Sequence, residues 1–339
     1  MPTFEPALEL NRGFYNDVVR PLLDGIPHAA ARVGWGSEVL GFDTERSSDH
    51  AWGPQLEVFV SADAVEEARA RVDAGLPETY RDWPTRYTLG GPDDRVMHYV
   101  FVSTLGDWFT ARLGFDATQG VGTADWLTMP QQRLLEITRG AIYRDDTGAF
   151  TKAREMLAYY PDDVWLWLIG CQWLRISQEE AFVGRTAEVG DELGSQVVAA
   201  RVGRDLMRLW FLFNRTYAPY SKWLGSAFAL LPDSAALGAA VSDALGARDY
   251  PSREEGLVRA YEIVAARHNE LGITEPVDPA VRTYWTRPFK VLHSERFAEA
   301  CGVHMGVDGP FGAVDQWVDS TDVLSYPEHF RRLTAFYER

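Results

Sequence analysis

Cysteine is scarce: the 339 residues hold two, Cys171 and Cys301. Two cysteines cannot build a disulfide framework, and both sit in apolar, helix-like surroundings, so they read as reduced, buried thiols. Basic residues are also few. Lys and Arg total 33 against 49 Asp and Glu, a formal net charge of −16. Binding a phosphate backbone needs clustered Lys and Arg, so a general nucleic-acid binder is not expected. No run of about 18 apolar residues occurs, which argues against a membrane span. The richest stretch, Val164–Trp173, has the length of a core helix. The start, Met-Pro-Thr-Phe-Glu-Pro, lacks the basic segment and apolar stretch of a signal peptide, so the expected location is the cytoplasm. No fixed-period repeat and no low-complexity linker is visible. His28, His98, His268, His293, His304 and His329 are scattered without the spacing of metal ligands.

What is present is ordinary for a globular protein: 46% hydrophobic and 24% charged residues. The length corresponds to about two domains or one large one. Aromatics reach 13%, with 12 Trp, so a core or a pocket is rich in rings.

Along the chain, residues 4–26 carry one broad apolar face and read as a helix, kinked at Pro21 and ended by Pro27. Strands come next at Ala30–Trp35, Leu56–Val60 and Arg95–Thr104, with a helix at Asp63–Val72 capped by Ser61. The rest reads as helical: Pro130–Ile142, Thr151–Tyr159, Asp162–Ile176, Ser177–Asn214 with breaks at Gly190, Gly194 or Gly203, Ser221–Leu231, Ser234–Leu245 and Ser252–Leu271. Pro279–Cys301 reads as one or two more helices, and the tail as another. The fold class expected is α+β, with a small α/β domain over 1–125 packed on a larger helical domain over 126–339. A cleft between two such domains is the natural place for a ligand.

The segment that carries chemistry is Gly34-Trp35-Gly36-Ser37-Glu38-Val39-Leu40-Gly41, then a loop of about ten residues, then Ser48-Asp49-His50-Ala51-Trp52-Gly53. Gly-Ser at a strand end lets backbone N–H groups and a hydroxyl come close to a phosphate. An Asp opening the next strand can hold a divalent metal against that phosphate. The plainer roles are an ordinary turn for Gly36-Ser37, a cap for Asp49 and a hydrogen-bonded structural ring for His50.

This order and spacing resembles the nucleotidyltransferase superfamily, which includes polymerase beta and the aminoglycoside nucleotidyltransferases. The wording around it, with Ile176-Ser177-Gln178-Glu179-Glu180 and Tyr217-Ala218-Pro219-Tyr220-Ser221-Lys222-Trp223, resembles an actinobacterial-rich branch known as a domain of unknown function with this fold. The resemblance implies transfer of a nucleoside monophosphate from ATP or another NTP, with Mg²⁺, to a hydroxyl of a small molecule. It implies that Gly36 and Ser37 hold phosphate, that Asp49 holds metal, and that a carboxylate in the helical half serves as general base. Glu180 is the first choice for that base and Glu179 the second; Glu180, Gly184, Asp191 and Ser195 fall on one face by helical spacing. Lys222 and Arg185 are candidates for nucleotide phosphates, with Arg204 and Arg208 weaker ones. A solvated helix face for the two glutamates and a lysine stem lying on aromatic surface are the plainer roles.

One position departs from the pattern. Ala51 stands where the family has its second metal carboxylate, and Val96–Thr104 carries no Asp or Glu. Glu57, Asp43, Asp93, Asp94 and Asp107 lie nearby without a matching position. The readings left open are a change made to trap substrate, a nucleotide binder that has lost transfer, a different metal arrangement, and an enzyme of another reaction that reuses the cleft. No nucleic-acid or membrane partner is expected.

Overall fold

Apolar alternation in the N-terminal part of the chain builds a mixed five-stranded sheet. The computed structural model describes residues 3–49, 52–88, 96–302 and 312–337. His50, Ala51, Asp93, Asp94 and His304 lie outside them. The chain is α+β and divides into two compact units, residues 1–121 with 133–158, and residues 122–132 with 159–339.

The sheet of the first unit contains β1 (Ala29–Arg32), β2 (Gln55–Phe59), β3 (Arg86–Thr88), β4 (Val96–Ser103) and β5 (Ala141–Asp145). Its order is β3-β4-β2-β1-β5, with β2 and β4 parallel and the other pairs antiparallel. β5 corrects the reading of Pro130–Ile142 as one helix. The helix runs Gln131–Thr138, and Gly140, at φ +75°, turns the chain into the strand. A helix-length apolar pattern cannot reveal that its last residues pair with Ala29–Arg32.

Alternation gives the sheet two faces. Ala30, Leu56, Val58, Val100 and Val102 share a core with Phe14, Val19 and Leu23 from the first helix and Ala68 and Val72 from the helix Val65–Gly75. That first helix is Ala7–Phe14, a widened turn Tyr15–Val19, and Arg20–Leu22. The widening sits directly before Pro21, which has no N–H to give an α-helical bond. Ser61 makes no capping bond to the turn Ala62–Ala64, contrary to the expectation. The other face carries Ala31, Gln55, Glu57, Phe59, Tyr99 and Phe101, which the register sets side by side.

The second unit is mostly helical. Its principal helices are Asp162–Glu179, Phe182–Glu188, Glu192–Phe213, Ser221–Ala229, Ser234–Gly246, Tyr250–Glu270 and Glu295–Cys301. A two-stranded hairpin, Arg282–Thr283 with Lys290–Val291, occupies part of the stretch read as helical. The long pattern Ser177–Asn214 is three helices. The second break is the Gly190 position: φ +79° ends one helix, and Asp191 caps the next by accepting the N–H of Gly194 at 2.8 Å. A Cβ on Gly194 would collide with that capping carboxylate. Among the described residues no helix is long and apolar enough to cross a membrane.

Candidate functional site

β1 is three alanines and an arginine, and the arginine organises the turn beyond the strand. The Arg32 guanidinium is buried and donates to the carbonyls of Val33 (2.7 Å) and Trp35 (2.6 Å) and, through Nε, to the Glu38 carboxylate at 3.0 Å. It thereby ties the strand end to the turn that leaves it. Residues 37–41 form a single helical turn. Phe42 N–H bonds to Ser37 O (2.8 Å) and Gly41 N–H to Glu38 O (3.1 Å), with Gly41 at φ +80°. This is the pattern by which a left-handed glycine closes a helix end. Gly36 sits at φ +132°, and a Cβ there would lie 2.5 Å from the Glu38 carboxylate. Gly34, at φ +92°, faces the Arg112 guanidinium in the same way. Both glycines are therefore required by ion pairs packed against the backbone. Gly34 N–H donates to Glu136 O (2.7 Å) and Gly140 N–H to Val39 O (3.0 Å), which ties both ends of the turn to the helix Gln131–Thr138 and its exit.

Beside the turn, Glu57 on β2 accepts from Arg112 Nη2 at 2.8 Å. Burial pushes its carboxyl above the usual range, and the Arg112 charge opposes that rise. Arg112 also approaches Glu136, which pairs with Arg133 at 2.5 Å. Three buried carboxylates, Glu38, Glu57 and Glu136, thus each have an arginine. Sequence reasoning missed this network. The available signal was a charged residue ending an all-alanine strand and a glutamate amid the apolar residues of the turn.

Asp49 is placed differently from the expectation. It belongs to the short 3-10 turn Glu45–Asp49 and not to a strand, because β2 begins only at Gln55. The expectation that Asp49 opens the next strand is therefore corrected. Two other acidic residues of this region are structural. Asp43 accepts the N–H of Ala7 at the start of the first helix (2.9 Å), and Asp107 joins Thr104 in capping the helix Leu105–Leu113. Among the described residues, no group of three or more His, Cys, Asp or Glu is placed to hold a metal ion.

In the second unit Glu180 is buried. It accepts the N–H of Leu292 (2.9 Å), the N–H of Ser294 (3.0 Å) and the hydroxyl of Ser294 (3.1 Å). Burial pushes it up to about 7 against the pull of those donors, and nearby Glu295 adds to the rise. Glu179 is turned elsewhere, forming a two-pronged pair with Arg201. The proposed single face of Glu180, Gly184, Asp191 and Ser195 does not exist, since these residues lie on three successive segments. Gly184 is small because Phe289 and the Tyr250 hydroxyl pack on it. Ser195 donates to Val183 O and accepts from the buried Arg253. Arg185 is exposed over the Phe182 ring, and Lys222 is exposed with Nζ 5.0 Å from the Trp223 ring. Arg204 pairs with Asp319, and Arg208 donates to Asp315 O. Cys171 and Cys301 are buried free thiols, both pushed up to about 12 by burial.

A family model described as a domain of unknown function (DUF4037) matches residues 126–224. Among solved structures the chain is similar to a nucleotidyltransferase-like protein from Exiguobacterium sibiricum 255-15. That similarity has 11% identity over 87% of this chain and 88% of the other, with a TM-score of 0.34. No curated protein matches.

Proposed function

We propose that the chain is a nucleotidyltransferase-fold protein that binds a nucleoside triphosphate at the turn after β1 and passes its nucleoside monophosphate to a hydroxyl of a small molecule. The observation that carries this reading is the turn itself. Gly36-Ser37 lies a few residues beyond the end of the buried strand β1, and Gly36, at φ +132°, has a conformation that favours glycine. Arg32, paired with Glu38, binds the carbonyls of Val33 and Trp35, which suits a site that must receive phosphate oxygens without rearranging.

Mg²⁺ belongs to the same reading. Asp49 is the one carboxylate of the motif, and no three-ligand group exists among the described residues. Asp49 would supply one carboxylate to an ion that arrives with the triphosphate and leans on its phosphates. When bound, the ion would neutralise phosphate charge. This chain's own residues Gly36 and Ser37 would hold the phosphates.

A second reading, nucleotide binding without transfer, is favoured by two observations. Ala51 replaces a carboxylate of the pattern, and both candidate bases are engaged, Glu180 by the 292–294 backbone and Glu179 by Arg201. Calorimetric titration of ATP with and without Mg²⁺, on this chain and on Ala51→Asp, separates them. Transfer predicts Mg²⁺-tightened binding on restoring Asp, with pyrophosphate release in the presence of an acceptor. Binding indifferent to metal in both proteins supports the second reading. No binding in either rejects both.

A further inference from the structure

We propose that the partly exposed rings at the β3–β4 side of the first unit's sheet form a stacking platform for a neutral, planar heteroaromatic ring: the base of the nucleotide, seated on Trp35, Tyr87, Tyr99 and Phe101. This rests on the nucleotide reading above and names the part of the ligand that the Gly36-Ser37 turn does not recognise.

Tyr99 and Phe101 alternate on β4 with the buried Val100 and Val102, so their rings lie on the face opposite the core that Ala68 and Val72 share. In a half-solvated sheet this face is ordinarily polar. Here it is a continuous set of rings. Tyr87 and Tyr99 have centroids 4.4 Å apart, Tyr99 and Phe101 6.1 Å, and Trp35 meets Tyr99 edge-on at 5.9 Å. At the far end of the same face, Phe59 is covered by Trp108 and Phe150. Trp35 and Phe101 instead stay 38% and 36% exposed, and Met97 beside them 39%.

The size of the opening selects its occupant. Large side chains present about 150–250 Å² each when free, so three of them left a little over one-third exposed offer roughly 200 Å². A second copy of the chain or a docked helix needs about 800 Å² per partner. A single ring system matches the smaller figure. Charge selects further. Glu57, which the register places beside Phe101, is neutralised by Arg112, so the platform favours a neutral ring over a cation. Trp35 is also the residue immediately before Gly36-Ser37. Its carbonyl is held by Arg32 at 2.6 Å, and its ring lies 5.7 Å from that guanidinium. A ligand at the turn therefore has the indole as its nearest neighbour along the chain.

The test titrates the full chain with ATP, adenosine and inorganic tripolyphosphate, each with Mg²⁺, in the native protein and in Tyr99→Leu and Phe101→Leu. Leucine keeps apolar bulk on the strand and removes the ring; circular dichroism confirms that each variant folds. The expected result is that ATP and adenosine bind roughly ten- to hundredfold more weakly to the variants, while tripolyphosphate is unaffected. Guanosine, cytidine and uridine extend the adenosine arm, since every base has a stacking face. If tripolyphosphate binds and no nucleoside does, the platform is overturned and the phosphate turn stands. If nucleosides bind and tripolyphosphate does not, the turn fails and the platform stands. Unchanged nucleoside affinity in both folded variants, or loss of a dimer in Phe101→Leu by sedimentation, also overturns it.

Discussion

Glu57 in the first unit and Glu180 in the second are both buried carboxylates, and the chain handles them in opposite ways. Glu57 faces a guanidinium, so its charge is matched by an equal charge. Glu180 faces two backbone N–H groups and a hydroxyl, so its charge is solvated by dipoles. The first arrangement makes each member depend on the other, because either one alone is an uncompensated buried charge. The second ties a loop to a helix end and leaves the carboxyl titrating near neutrality. A buried acid thus has two separate uses in this chain: fixing an arginine against the backbone at Gly34 through charge, and anchoring a chain segment through hydrogen bonds.

The largest effect that would break this contrast is at the ion pair. Arg112→Met should lower unfolding free energy by about 3–5 kcal/mol in urea titrations, since it strands Glu57. Adding Glu57→Gln should recover part of that loss. An equal loss in single and double variants would mean that the pair does not act as a unit.

Next comes pH. The folded-state value of Glu180 lies above its ordinary one, so folding favours the protonated form. Its contribution is complete below an ordinary value of 4.5 and is lost as pH rises to about 7, at about 1.4 kcal/mol per pH unit. Relative to Glu180→Gln, the native protein should therefore lose up to about 3 kcal/mol across that window and change little above it. Parallel pH profiles for the two proteins would contradict this.

The turn gives a smaller effect with a built-in control. Gly36→Ala meets both a left-handed φ and the Glu38 carboxylate, whereas Gly41→Ala meets only the φ, with open space around it. Thermal melts should show about 2 kcal/mol or more for Gly36→Ala and about 1 kcal/mol for Gly41→Ala. ATP affinity, read by calorimetry, should fall chiefly in Gly36→Ala. The smallest effect is expected at Glu179, whose pair with Arg201 is partly exposed. Glu179→Gln should change stability by less than about 1 kcal/mol in the same assay.

β2 and β4 were legible from apolar β-branched runs, β1 as a short apolar run before Gly36-Ser37, and the helices of the second unit from periodicity and terminal Gly, Pro and Ser signals. β5 was not, because Ala141–Asp145 continues a helical pattern and becomes a strand only by pairing with β1. The break before Phe182 was read a few residues early, between Ile176 and Ser177, since no glycine or proline marks it. At the candidate site, Gly36-Ser37 stood out by composition and spacing. The arginines beneath it did not, because Arg112 and Glu57 are far apart in the chain and meet only in the fold.

Composition and local pattern by themselves determined that this is an acidic, aromatic-rich α+β chain with a glycine-serine turn after its first strand, since charge, ring content and local conformational demands are properties of residues and their immediate neighbours. Tertiary structure decided which acids are free to act. Long-range packing set Glu57 against Arg112, folded the 292–294 backbone over Glu180, and left Phe101 partly exposed on the face opposite the Val100–Val102 core. Whether a carboxylate is paired, capped or open depends on residues distant in sequence, and no local pattern encodes it.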